Sequence, residues 1–231
     1  KKRNWNSPNV VGYMESHDEE RLMYKNLEHG NSNGNYNVKD LNTALSRQAL
    51  AGMFLFSVPG PKMIWQFGEL GYEFSINSDE NGVVHYNPPG SDNVDTGYRT
   101  HRKPIRWDYL GNDYRMQLYK TWATIIGLKN KHPEVFNSND FSLDDNGLAK
   151  SITLRHASMD AVIVGNFDVS DKTVNFNFSK TGTWYEYFTG EEKSITDTNE
   201  SIVLQPGEYR LYSTQRILDP RGGTVNDDSD G

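Results

Sequence analysis

Residues 10–24, VVGYMESHDEERLMY, pass from an apolar run directly into His17, Asp18, Glu19, Glu20 and Arg21. Like charges at adjacent positions repel, and burying them is costly unless they are paired. The stretch is therefore either a solvated loop or the rim of a cleft where charge is used. Read as structure, NVVGYME (9–15) is short, β-rich and bounded by turn formers, which predicts a strand. SHDEER after it also suits a helix N-terminus, where acids favour the positive end of the dipole.

Working outward, residues 25–37 are rich in Gly and Asn and read as a loop. Leu41, Leu45, Ala49, Gly52, Met53 and Phe56 then recur at helical spacing, with Asn37 or Asp40 placed to serve the N-terminal end and Pro59-Gly60-Pro61 to stop the helix. KMIWQFGE (62–69) is a second nearly all-apolar strand ending in a carboxylate. A polar loop follows from Tyr72 to about Lys103, longer than a mere connection. DYRMQLYKTWATIIGLKNKHP (113–133) predicts a second helix, with Met116, Tyr119, Trp122, Ala123 and Ile126 on one side. Strand–helix–strand–helix with continuous apolar strands signals a parallel sheet covered by helices. After Pro133 the texture changes. AKSITLRHAS, DAVIVGNFD, KTVNFNFS, TWYEYFTG and SIVLQPGEYRLYST predict an antiparallel β-domain of five to seven strands.

The totals narrow the function. A chain of 231 residues with 35% hydrophobic and 12% aromatic content has length for a real core and is too aromatic to be disordered. Its Tyr and Trp side chains suit stacking on sugar rings. A net charge of −7 without a basic run argues against nucleic acid as a partner. The absence of Cys excludes disulfides and thiolate metal sites and leaves the redox compartment open. No apolar run reaches membrane-spanning length. The opening KKRNWNSPN reads as the interior of a longer protein and the acidic TVNDDSDG as a linker.

In parallel α/β architectures chemistry sits at the carboxyl ends of strands, which puts His17, Asp18 and Glu69 on one face. Here a resemblance enters. MESHDEER is similar to the fourth sequence region of the α-amylase superfamily, glycoside hydrolase family 13, and GPKMIWQFGELG resembles its eighth-strand region. LYKTWATIIGLKNKHP resembles the last barrel helix, and LQPGEYRLY the closing strand of the β-domain behind the barrel. The resemblance spans residues 5–214 in order. It implies an α/β plus all-β chain: the last two strands and helices of a (β/α)₈ TIM barrel over residues 1–132, an antiparallel β-sandwich over 133–214, and a linker over 215–231.

The resemblance also implies roles. Asp18 is the carboxylate that stabilises the transition state, and His17 binds hydroxyls of the sugar at the cleavage point. Glu19 lines the cleft, Arg99 or Arg102 reaches the sugar, and Glu20 is solvated with Arg21 pairing it or Glu19. Glu69 is a rim residue, and Trp65, Tyr98 and Trp107 are stacking candidates, with core packing the plainer reading of the two tryptophans. The nucleophile and the general acid belong to strands that would precede Lys1, so the chain alone is expected to be inactive. The implied substrate is an α-1,4-glucan cleaved with retention. Ser16-His17-Asp18-Glu19, however, resembles the form in glucan-branching enzymes, which leaves transfer open. A non-catalytic glycan-binding module built on Trp184, Tyr185 and Tyr187 is the other alternative. No cofactor is called for. NSDENG (77–82) and GSDNVD (90–95) are oxygen-rich but lack the spacing of a calcium loop, so they read as solvated turns and no metal site is assigned. The open barrel edge predicts self-association, and a bacterial glucan-degrading enzyme favours a secreted or periplasmic setting.

Overall fold

The structure, a computed structural model, describes residues 9–217. The opening KKRNWNSP and most of the expected linker, from Leu218 onward, lie outside the described residues. The described residues divide into two compact units, one of residues 11–49 with 62–122, the other built mainly from 50–61 and 123–217.

In the first unit the two expected parallel strands are reduced to one contact. Gly12 and Lys62 form a single parallel bridge, with Met63 N donating to Gly12 O at 3.0 Å. The reason is the lack of further neighbours among the described residues. A parallel ladder with apolar residues on both faces is stable when flanked and covered, and here Val11, Tyr13 and Ile64 remain 50%, 46% and 38% exposed. Helix α1 (Leu22–His29) begins right after Arg21 and takes the first residues of the expected 25–37 loop. The rest is a small hairpin, β1 (Ser32–Asn33) and β2 (Tyr36–Asn37), turning at Gly34 with φ +57°.

Helix α2 (Leu41–Ser57) lies where the spacing placed it. Asn37 Oδ1 accepts from Lys39 N, and Asp40 O takes the first helical bond, from Ala44 N. Helix α3 (Asp113–Lys131) has the expected length but a different buried face: Arg115, Leu118, Trp122, Ile125 and Leu128 are buried, while Tyr119 is 44% exposed and Ala123 is exposed. Polar residues on the inner face masked it. Arg115 is satisfied there by Leu70 O, Gly71 O and Glu73, at 2.6–2.8 Å, and the Trp122 indole donates to Gln48 O.

A short helix α4 (Pro133–Phe136) leads into eight strands, more than the five to seven expected. These are β3 (Phe141–Asp144), β4 (Ala149–Leu154), β5 (Ala161–Asn166), β6 (Lys172–Asn175), β7 (Gly182–Glu186), β8 (Glu192–Ile195), β9 (Ser201–Leu204) and β10 (Tyr209–Ser213). The surplus comes from short polar strands such as β3 and β8, which carry too little alternation to register. The order is β3-β4-β5-β10-β7-β8 in one antiparallel sheet and β6-β9 in the other. Val162, Val164, Val174, Phe176, Phe178, Trp184, Ile195, Leu204 and Tyr212 form one buried cluster shared by the two sheets. The second face of β5 meets helix α2: a Cβ at Gly165 would lie 2.5 Å from Leu50 Cδ1 and 2.7 Å from Phe54 Cε2, so only glycine lets helix and strand approach this closely.

Candidate functional site

The segment between the Gly12 bridge and helix α1 is a loop fastened at both ends. Glu15 and Arg21 are buried and form an ion pair at 2.8 Å. The second carboxylate oxygen of Glu15 accepts from Leu22 N at 2.7 Å, and Arg21 Nη2 also donates to Gln66 O at 2.6 Å. The guanidinium lies over the Tyr72 ring, 4.5 Å from its centroid. Burial raises the Tyr72 hydroxyl to about 12, and it donates to Pro104 O. Glu15 had escaped notice in the sequence because it closes an apolar run. The available signal was a lone acid at the end of a strand-like stretch, six positions before an Arg.

Between these ends Ser16 shapes the turn. Its hydroxyl accepts from Asp18 N at 3.1 Å and donates to the carboxylate of Glu19. His17 and Asp18 point outward, with side chains 70% and 66% exposed and His17 Nε2 3.3 Å from Asp18 Oδ2. The His17 ring sits 5.7 Å from the half-buried Trp65 ring, tilted by 48°. Arg99 Nη2 donates to Asp18 O at 2.7 Å and Oδ1 at 3.1 Å. Arg102 is exposed, and it is Arg99 that reaches the pair.

Glu20 is not a free solvated acid. Its carboxylate accepts from Ser75 Oγ, Ile76 N and Arg21 N at 2.5–2.9 Å, which joins the loop to the 72–103 segment. Arg21 in turn pairs with Glu15 rather than with Glu19 or Glu20. The long segment is itself ordered. Bridges Ser78↔Val84 and Tyr86↔Val94 pin it, and Lys103 Nζ donates to Ser78 O and Tyr98 O. Burial lowers the Lys103 ammonium from its ordinary value. Tyr98 stacks on His85 with centroids 4.0 Å apart, and His85 Nε2 meets Asp79 at 2.9 Å. That bond, first among several, holds the Asp79 carboxyl below the usual range. The other Asp79 oxygen accepts from Asn81 N and Val83 N, and Asp95 accepts from Gly97 N. Among the described residues no group of three His, Asp or Glu side chains is arranged to hold a metal.

The remaining candidates divide. Glu69 is half-buried in a 3₁₀ turn, Gly68–Leu70. Trp107 is 67% exposed rather than in the core, resting edge-on against Phe67 at 4.9 Å. In the β-domain, Trp184 is fully buried and its indole donates to Lys180 O, while Tyr185 lies under Arg216 at 4.8 Å. Trp184 therefore presents no ring to a ligand. His17, Asp18 and Arg99 thus gather an exposed imidazole, carboxylate and guanidinium, groups able to donate to or accept from hydroxyls, near the Trp65 indole.

No family model and no curated protein matches the chain. Solved structures do. The α-amylase from Geobacillus thermoleovorans complexed with acarbose aligns with a TM-score of 0.62 at 14% identity, over 89% of this chain and 38% of that one. AmyP in complex with maltose aligns at 0.64 and 16%, over 91% and 41%. A cyclomaltodextrinase aligns at 0.61 and 15%, over 89% and 30%. The chain thus has a fold found in α-amylase structures, and it spans 30–41% of the length of these three.

Proposed function

We propose that the chain belongs to a retaining glycoside hydrolase acting on α-1,4-linked glucans. In this reading residues 1–132 carry the last two strands and helices of a (β/α)₈ barrel, and 133–214 form the β-domain behind it. The observation that carries the reading is the exposed His17–Asp18 pair, 3.3 Å apart, on a loop directly after the extended segment that bridges Lys62. Glycosidic cleavage passes through an oxocarbenium-like state, which a nearby carboxylate stabilises. Asp18 takes that role. His17, Glu19 and Arg99 or Arg102 hold hydroxyls, whose bonds tighten as the ring flattens. Two of the similar structures are complexes with acarbose and with maltose, which supports a glucan as ligand. The attacking and protonating carboxylates are taken to come from elsewhere in the whole protein.

Asp18→Asn in the whole protein tests this, since it keeps shape and removes charge. We expect kcat on maltoheptaose to fall by about 100-fold or more, the scale of one lost electrostatic stabiliser. His17→Ala removes a hydroxyl contact and is expected to cost less. A smaller fall for Asp18→Asn, or the reverse ranking, would withdraw the assignment.

Ser16 favours a second reading, transfer to a sugar acceptor, because SHDE resembles the branching-enzyme form and Ser16 shapes the loop through Asp18 N and Glu19. Amylose incubated with the whole protein distinguishes the two: hydrolysis raises reducing ends, whereas branching yields new α-1,6 linkages without them.

A further inference from the structure

Glu15 and Arg21 lie at the ends of the loop that presents His17 and Asp18, with side chains 6% and 4% exposed. Two charges withdrawn this far from water carry a large desolvation cost. Their attraction offsets it only where the remaining donors and acceptors are also met. Most are: Leu22 N and Arg21 Nη2 bond the carboxylate, Gln66 O accepts from the guanidinium, and Tyr72 lies beneath it, with Arg21 Nε the exception. An apolar pair of similar volume would close the loop without that desolvation. What the charged pair adds is direction, because hydrogen bonds fix distance and angle where apolar contacts do not.

We propose that Glu15 and Arg21 are positioning residues for His17 and Asp18, an inference that rests on the roles given to those two above. Three fixed points define the loop. Leu22 N on Glu15 sets where helix α1 begins, Gln66 O on Arg21 ties the loop to the neighbouring segment, and Ser16 Oγ on Asp18 N sets the turn between them. Gly68 completes the seat: a Cβ there would lie 2.7 Å from Glu15 Oε1, so a side chain at this position would displace the carboxylate. The His17 ring is thereby held beside Trp65 and its Nε2 beside Asp18.

The test reads the His17 ring by proton NMR in the purified 231-residue chain without sugar. His17→Gln assigns the resonance, and Trp65→Ala gives its position without the indole ring current. Two variants are compared, Glu15→Gln and the double variant Glu15→Gln/Arg21→Met, which removes both charges while leaving an acceptor for Leu22 N. We expect the double variant to melt cooperatively while its His17 resonance moves at least halfway to the Trp65→Ala position. In the whole protein the same change lowers kcat on maltoheptaose about 10- to 100-fold, the scale of a reacting group displaced by an ångström. A folded double variant with the wild-type His17 resonance overturns the proposal. So does failure of both variants to fold, because the pair would then hold the fold rather than the loop. Because the NMR reading uses no sugar, it stands or falls independently of the glucan assignment. That assignment fails separately if the unaltered whole protein neither binds nor cleaves maltoheptaose.

Discussion

Four carboxylates fall between residues 15 and 20, and each has a different partner: Arg21 for Glu15, Arg99 for Asp18, Ser16 for Glu19 and Ser75 for Glu20. The crowding that raised the first question is resolved by dispersal, so no two acids share one site. A fifth acid, Asp160, shows the same logic where it can be titrated. Burial alone would raise its carboxyl, but bonds from Ser179, Lys180 and His156 N outweigh this and hold it below the ordinary value of 3.8. A depressed carboxyl contributes stability that is present above its unfolded value and is lost as pH falls through its folded one. The urea midpoint should therefore drop as pH falls below 3.8, and Asp160→Asn should flatten that decline. An unchanged slope in the variant would remove Asp160 from the account. At this scale the sequence offered His17, Asp18 and Arg99 as candidates because chemistry-bearing residues gather in polar stretches, and the structure brings the three together. Glu15 was not, because its partner Arg21 lies across a loop whose closure no local pattern records.

Among the elements, the two long helices were legible almost to the residue, since apolar spacing and Pro59 fix α2 and Pro133 follows α3. The faces and the strands were harder. The inner face of α3 holds Arg115, Thr121 and Thr124, polar residues that apolar spacing does not count, and Leu70 O, Gly71 O and Glu73 supply partners for the arginine. The runs at 9–15 and 62–69 carry strand composition, but pairing is a property of neighbours and not of composition. In the β-domain, β5 is buried at every position, and its helix-facing side depends on one small residue. Gly165→Ala should cost about 1–3 kcal/mol, the range for overpacking a close contact, because Leu50 and Phe54 occupy the space its methyl would need. Guanidinium unfolding checks this, and Leu50→Ala should recover part of the loss in the double variant by opening that space.

For the molecule as a whole, two consequences differ in kind. Val11, Tyr13 and Ile64 are exposed on extended segments that share one bridge, an open edge of the sort that pairs with other chains. The isolated chain should self-associate with rising concentration, and Val11→Lys should shift the sedimentation profile toward the monomer. A monomer at all concentrations would count against the open edge. The other consequence concerns time. Strand β10, the last among the described residues, lies between β5 and β7 in the sheet. About 40 residues separate Asn166 from Tyr209, so a ribosome adding 5–20 residues per second delivers β10 roughly 2–8 s after β5. Through that interval the nascent sheet has a gap at its centre, flanked by two unsatisfied edges. A chain stalled before Tyr209 would be left in that state, which makes the interval the point at which a chaperone has most to protect.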